Sequence, residues 1–273
     1  MHLNLNNFTK LRAAITSILV IGFLFITPSK AQNKNYVDLQ TYTIRSLDGI
    51  PQKISVMLDY DDRLKISYLK DTLCVYRSYG VEGKPLILGG KFLEIMYGYK
   101  EGSNIEKRRA LFLCINRNKL YVPMEVTSLS TFDLGEVYNK EADSLKLFNE
   151  YARYELKLKL SGKNGASYKL AAKVYDMSVS KRDPPTNHYH VSNTTLNFDS
   201  TENIFYNDYK NIDETLTVYY PDTQTEKKQH IKGAFPVISL GKIEYYYINK
   251  GWFEKGSSEN RGNYLTGYSQ RLN

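Results

Sequence analysis

The sequence predicts a mainly β protein, an antiparallel β-sandwich or strongly curved sheet, with at most one helix, near residues 140–151. Three observations lead there. Apolar residues recur at every second position along much of the chain. Tyrosine is abundant, with 24 residues against 11 phenylalanines and one tryptophan. Clusters of turn-forming residues separate the alternating runs. A period of two puts alternate side chains on one face of a strand. Tyrosine suits half-buried sheet, where the ring packs and the hydroxyl reaches water.

The chain opens with Lys10 and Arg12 ahead of an apolar run over residues 13–26, followed by Pro28 and Ser29-Lys30-Ala31. Basic, apolar and small-residue segments in that order make residues 1–31 a secretory signal peptide, cleaved after Ala31. The apolar run is shorter than the roughly 18–20 residues that cross a bilayer as a helix, and no later stretch approaches that length. The mature chain, residues 32–273, is therefore expected to carry no transmembrane segment and to work in a periplasm or outside the cell. The first cysteine is Cys74, so no lipid-modified cysteine is expected at the cleavage point. Cleavage removes Lys10, Arg12 and Lys30 and no acidic residue, which lowers the formal charge from +8 to +5. That is an ordinary excess for a soluble surface.

Strands follow from the pattern. Ile54, Val56 and Leu58 share one face, Leu64, Ile66 and Tyr68 another, and Asp59-Tyr60-Asp61-Asp62 between them reads as a hairpin turn. Gly89-Gly90 interrupts residues 86–97 with a tight turn or bulge. Residues 110–115 contain no polar side chain, which predicts a strand covered on both faces at the centre of the core. Asn116-Arg117-Asn118 leads from it into residues 120–126, where Pro123 calls for an edge or a bulge. Lys107-Arg108-Arg109, just ahead, reads as a solvated strand end.

Leu145, Phe148 and Tyr151 stand at helical spacing and suggest the one helix. Tyr154, Leu156, Leu158 and Leu160 alternate with Glu155, Lys157 and Lys159, and Gly162-Lys163-Asn164-Gly165 turns that strand into residues 167–179. Later strands carry Leu216, Val218 and Tyr220, then Ile243, Tyr245 and Tyr247. The β-rich region forms one body or divides near 139–152 or near 181–187, where Arg182-Asp183-Pro184-Pro185 is irregular.

Candidate sites are few. Cys74 and Cys114 read either as a disulfide, which an oxidising compartment permits, or as two buried thiols. His188 and His190 share one strand face and could hold a metal if His230, Asp183 or Asp199 completed the set; two surface histidines are the plainer reading. Acidic clusters at Asp59, Asp61, Asp62 and at Asp199, Glu202, Asp208, Asp213, Glu214 match no calcium loop. No nucleophile, metalloprotease or phosphate-loop motif occurs, so no cofactor is expected and the enzyme reading is disfavoured.

Trp252, Tyr245, Tyr247 and Tyr264 are the candidate aromatic residues for a ligand, because the glycines around them gather rings at one end of the fold; packing in the core is the competing reading, since alternation alone accounts for Tyr245 and Tyr247. The leading expectation is a non-catalytic exported protein that binds a polymer, glycan or cell wall, or an envelope protein, and not nucleic acid. A glycan or cell-wall hydrolase using paired carboxylates, and a periplasmic inhibitor or immunity protein, are the alternatives.

Overall fold

The computed structural model describes residues 40–58, 63–76, 78–102, 105–139, 144–161, 167–180, 185–220, 223–256 and 264–272. The predicted signal peptide and the 59–62 turn lie outside them. The protein is mainly β with antiparallel pairing, and its strands form three layers. No helix among the described residues is long and apolar enough to cross a membrane.

The first layer begins with β1 (Gln40–Arg45), β2 (Pro51–Leu58), β3 (Leu64–Tyr68) and β4 (Asp71–Val75), each paired with the next. The second is a large sheet. Its strands are β5 (Ser78–Val81), β6 (Leu86–Leu88), β7 (Phe92–Gly102), β8 (Ile105–Asn116), β9 (Lys119–Asn139), β10 (Ser144–Ser161), β11 (Lys169–Ser180), β12 (Thr186–Asp199) and β13 (Ile204–Tyr206). They run in the order β13-β12-β11-β10-β9-β8-β7-β5, with β6 beside β7. The third layer is a closed barrel of β14 (Asp208–Tyr220), β15 (Thr225–Leu240), β16 (Ile243–Ile248), β17 (Gly251–Lys255) and β18 (Tyr264–Gly267). Five strands in an up-and-down meander leave first and last pointing the same way, so β18 closes on β14 in parallel. The last strand, β19 (Ser269–Leu272), returns to the first layer and pairs with β4.

Strand β8 explains the layering. Leu111, Leu113 and Ile115 pack toward Ile54, Leu64, Ile66 and Val75 of the first sheet. Ala110, Phe112 and Cys114 pack the other way, with Ile238, Tyr245 and Trp252 of the barrel. All six residues of the 110–115 run are fully buried, which is why the segment needs no polar face. The barrel has its own filling, with Leu216, Val237, Ile248 and Leu265 inside.

Local chemistry sets the turns. Arg117 and Asn118 take positive φ in the β8–β9 hairpin, and Gly89 and Gly90 do so between β6 and β7. Pro123 sits at a bulge: Phe112 opposes Met124 but Cys114 opposes Tyr121, so β9 carries one extra residue there. The β15–β16 turn rests on β11, since a Cβ on Gly241 would lie 3.2 Å from Val174.

Two expectations are corrected. Residues 144–151 begin strand β10 rather than a helix, paired from Ser144↔Asn139 to Tyr151↔Asp133; residues 140–143 lie outside the described set. The ladder steps from Leu147↔Glu136 to Glu150↔Leu134, so β10 holds one extra residue. Such a bulge accommodates an apolar spacing of three inside a strand and imitates helical periodicity. Cys74 and Cys114 are both buried and are not joined in a disulfide. Alternation is the reason. Leu73 and Val75, the neighbours of Cys74, face the layer between the two sheets, as do Leu113 and Ile115, the neighbours of Cys114. Each thiol therefore points away from the other, across sheets packed about 10 Å apart, beyond disulfide reach. The barrel-side pocket also desolvates Cys114 and pushes its thiol up.

Both candidate domain boundaries fall at connections between neighbouring strands of the one large sheet, β9–β10 and β11–β12. Reductant should leave the melting temperature unchanged, and Cys114 should resist a thiol reagent until the chain is denatured. Rapid labelling of the native protein at Cys114, or a reductant-dependent drop in melting temperature, would contradict this burial.

Candidate functional site

Strand β17 organises the polar and aromatic chemistry of the fold. It pairs with β16 on one side and β18 on the other. Its Trp252 and Phe253 line one pocket and its Glu254 lines another.

The first pocket has a volume of about 560 Å³, within the range of small-ligand sites. Trp252 forms its floor. The indole is 2 % exposed and its Nε1–H donates to the carbonyl of Val122, 3.1 Å away. That carbonyl lies beside the Pro123 bulge, outside the stretch of β9 that pairs with β10. Tyr247 leans on Trp252 with ring centres 5.1 Å apart, and Tyr220 meets Phe253 edge-on. With Tyr121 these rings make an aromatic wall, while exposed Lys119, Glu202, Asn249 and Lys250 supply a polar rim. Asn249 and Lys250 both take positive φ in the two-residue turn between β16 and β17, which holds them at the rim.

The structure thus brings Trp252 and Tyr247 into one pocket and separates them from the other two expected aromatics. Tyr245 is fully buried; its hydroxyl accepts the Thr127 N–H at 3.0 Å. Tyr264, half-buried, lines the second pocket and donates to Glu226.

The sequence reading missed a buried charge network behind β17. Lys107 is 6 % exposed and Arg109 is fully buried, so the basic run is not a solvated strand end; only Arg108 turns outward, to Glu82 and Glu106. Lys107 Nζ lies 2.9 Å from Glu254 Oε1, and Arg109 Nη1 lies 2.6 Å from Glu254 Oε2. Thr127 donates to the same Oε2 at 2.9 Å. Burial alone would raise the Glu254 carboxyl, but the two cations and their hydrogen bonds overcome it and hold the group down at about 2. Arg109 also stacks 3.4 Å over the Tyr268 ring. Beyond it, fully buried Glu125 accepts from Tyr97 and from Ser269, each at 2.5 Å. Alternation held the signal: Lys107 and Arg109 occupy the same strand face as Leu111 and Leu113, and Glu125 interrupts a buried stretch of β9.

His188 and His190 stand side by side on β12, rings 6.4 Å apart and both exposed. Among the described residues no group of three or more His, Cys, Asp or Glu is placed to hold a metal. In the second acidic cluster, Asp199 closes a turn through the N–H groups of Thr201 and Glu202, and Asp213 pairs with His230 and Lys232.

Glu254→Gln would leave Lys107 and Arg109 short of a buried counter-charge, at a cost of about 3–5 kcal/mol. Because the folded carboxyl titrates below its ordinary 4.5, its contribution is full above that pH and fades as pH falls toward about 2. In urea titrations the gap between wild type and Glu254→Gln should therefore be widest near neutrality and narrow below pH 4.5; a gap independent of pH would refute the assignment. Comparison with protein-family models, with curated proteins and with solved structures finds no match.

Proposed function

We propose that this is an exported, non-catalytic binding protein whose aromatic pocket takes a segment of a glycan or cell-wall polymer. One observation carries the reading: Tyr121, Tyr220, Tyr247, Trp252 and Phe253 converge on a single pocket rimmed by Lys119, Glu202 and Asn249. Aromatic faces offer apolar area to a pyranose ring, and amide, ammonium and carboxylate groups at the rim match its hydroxyls. Export rests on the order of basic, apolar and small residues over positions 1–31. The hydrolase alternative has less support. Glu254 and Asp176 both line the second pocket, but each is paired with a cation, Glu254 with Lys107 and Arg109 and Asp176 with Lys242 at 3.0 Å, which favours the ionised form of both and leaves neither suited to be the general acid.

Trp252, the single tryptophan, is a built-in reporter of the pocket. Soluble cell-wall glycan fragments should shift or quench its emission saturably, and Tyr247→Ala should weaken that binding about tenfold or more. Unchanged emission, together with stoichiometric capture of one envelope protein, would instead favour an inhibitor or immunity role.

A further inference from the structure

The second pocket, about 550 Å³, lies over a row of polar side chains that crosses the large sheet. Lys107 opposes Ser130, Ser130 opposes Tyr154, and Tyr154 opposes Asp176. Residues directly opposite share a face, so the row runs across β8, β9, β10 and β11. Three strand spacings of about 4.8 Å make it roughly 14 Å long. The barrel roofs it with Glu254 and Lys242.

Tyr154 is the unusual member. Its side chain is 3 % exposed, it lines the trough, and among the described residues its hydroxyl meets no hydrogen-bond partner. A buried hydroxyl left so is costly unless something in the trough satisfies it. Burial, with Tyr245, Glu254 and Asp176 nearby, pushes its ionisation well up, so it stays a neutral O–H donor.

The charges say what kind of ligand fits. Each cation lining the trough already has a carboxylate: Lys107 has Glu254, Lys242 has Asp176 and Arg153 has Glu155. The pairs leave no uncompensated cation in the trough to attract an anionic ligand. The remaining capacity is the Tyr154 donor with the Ser130 and Thr266 hydroxyls beside it, and hydroxyls give and accept hydrogen bonds without a charge.

We propose that this trough is a second binding site, distinct from the aromatic pocket, for a neutral, hydroxyl-rich ligand of the saccharide class. It does not rest on the aromatic pocket's assignment. Calorimetric titration of the whole chain with cellotriose, maltotriose and tri-N-acetylchitotriose tests it. At least one should bind, Tyr154→Phe should weaken that binding tenfold or more, and Tyr247→Ala should leave the Tyr154-dependent binding unchanged. Tyr154→Phe should also melt no lower than wild type, because it removes a hydroxyl without a protein partner. Ser130→Ala provides a second variant with the same expected direction. The proposal falls if none of the three sugars binds, if Tyr154→Phe binds as well as wild type, or if Tyr154→Phe lowers the melting temperature. Binding lost only in Tyr247→Ala would overturn it while supporting the aromatic pocket; Tyr154-dependent binding with silent Trp252 would do the reverse.

Discussion

The contact between Arg109 and Glu254 holds the layers in register. Arg109 belongs to strand β8 of the large sheet, Glu254 to the barrel, and the residues lie 145 positions apart. Around them Lys107, Thr127 and Tyr268 complete the first coordination of charge, and Glu125 ties Tyr97 of β7 to Ser269 of β19. Separating a buried guanidinium from its carboxylate is costly, so the pair disfavours any stacking of sheet and barrel that parts Arg109 from Glu254.

The same network shapes both pockets. On β17 Trp252 shares the face of Glu254 and packs between barrel and sheet, while Phe253 turns into the barrel; both line the pocket with Tyr121 and Tyr247. Neutralising the cations in pairs leaves the trough over Tyr154 lined by hydroxyls and closed ion pairs rather than by bare charge. The tyrosine-rich composition gains a physical meaning here. Tyr97, Tyr245 and Tyr268 bring both apolar area and a hydroxyl to positions where charge must be buried.

Much of the architecture was legible in the residues. The apolar run at 110–115, the alternation from Tyr154 to Leu160 and the proline at 123 each carry a local signal for a two-sided strand, a half-buried strand and a bulge. The helix at 140–151 misled because a bulged strand and a helix share a spacing of three. The site was harder to read. Trp252 and Tyr247 stood out as aromatics among glycines, but their pocket also needs Tyr121 and Tyr220, which only the fold brings near. The charged core was hidden because Lys, Arg and Glu are ordinarily solvated; their phase within a buried alternation was the available clue, while Glu254, 147 and 145 positions from Lys107 and Arg109, left no mark on the local pattern.

Strand β19 finds its partner far away in the sequence. Its four residues lie against β4, nearly two hundred positions earlier, and Ser269 seals the carboxylate of Glu125. The β4 edge of the first sheet is therefore closed only once β19 is in place. Non-local closure of this kind slows folding and keeps an early-made edge available for a long time. Strand β19 is thus a keystone of the first layer.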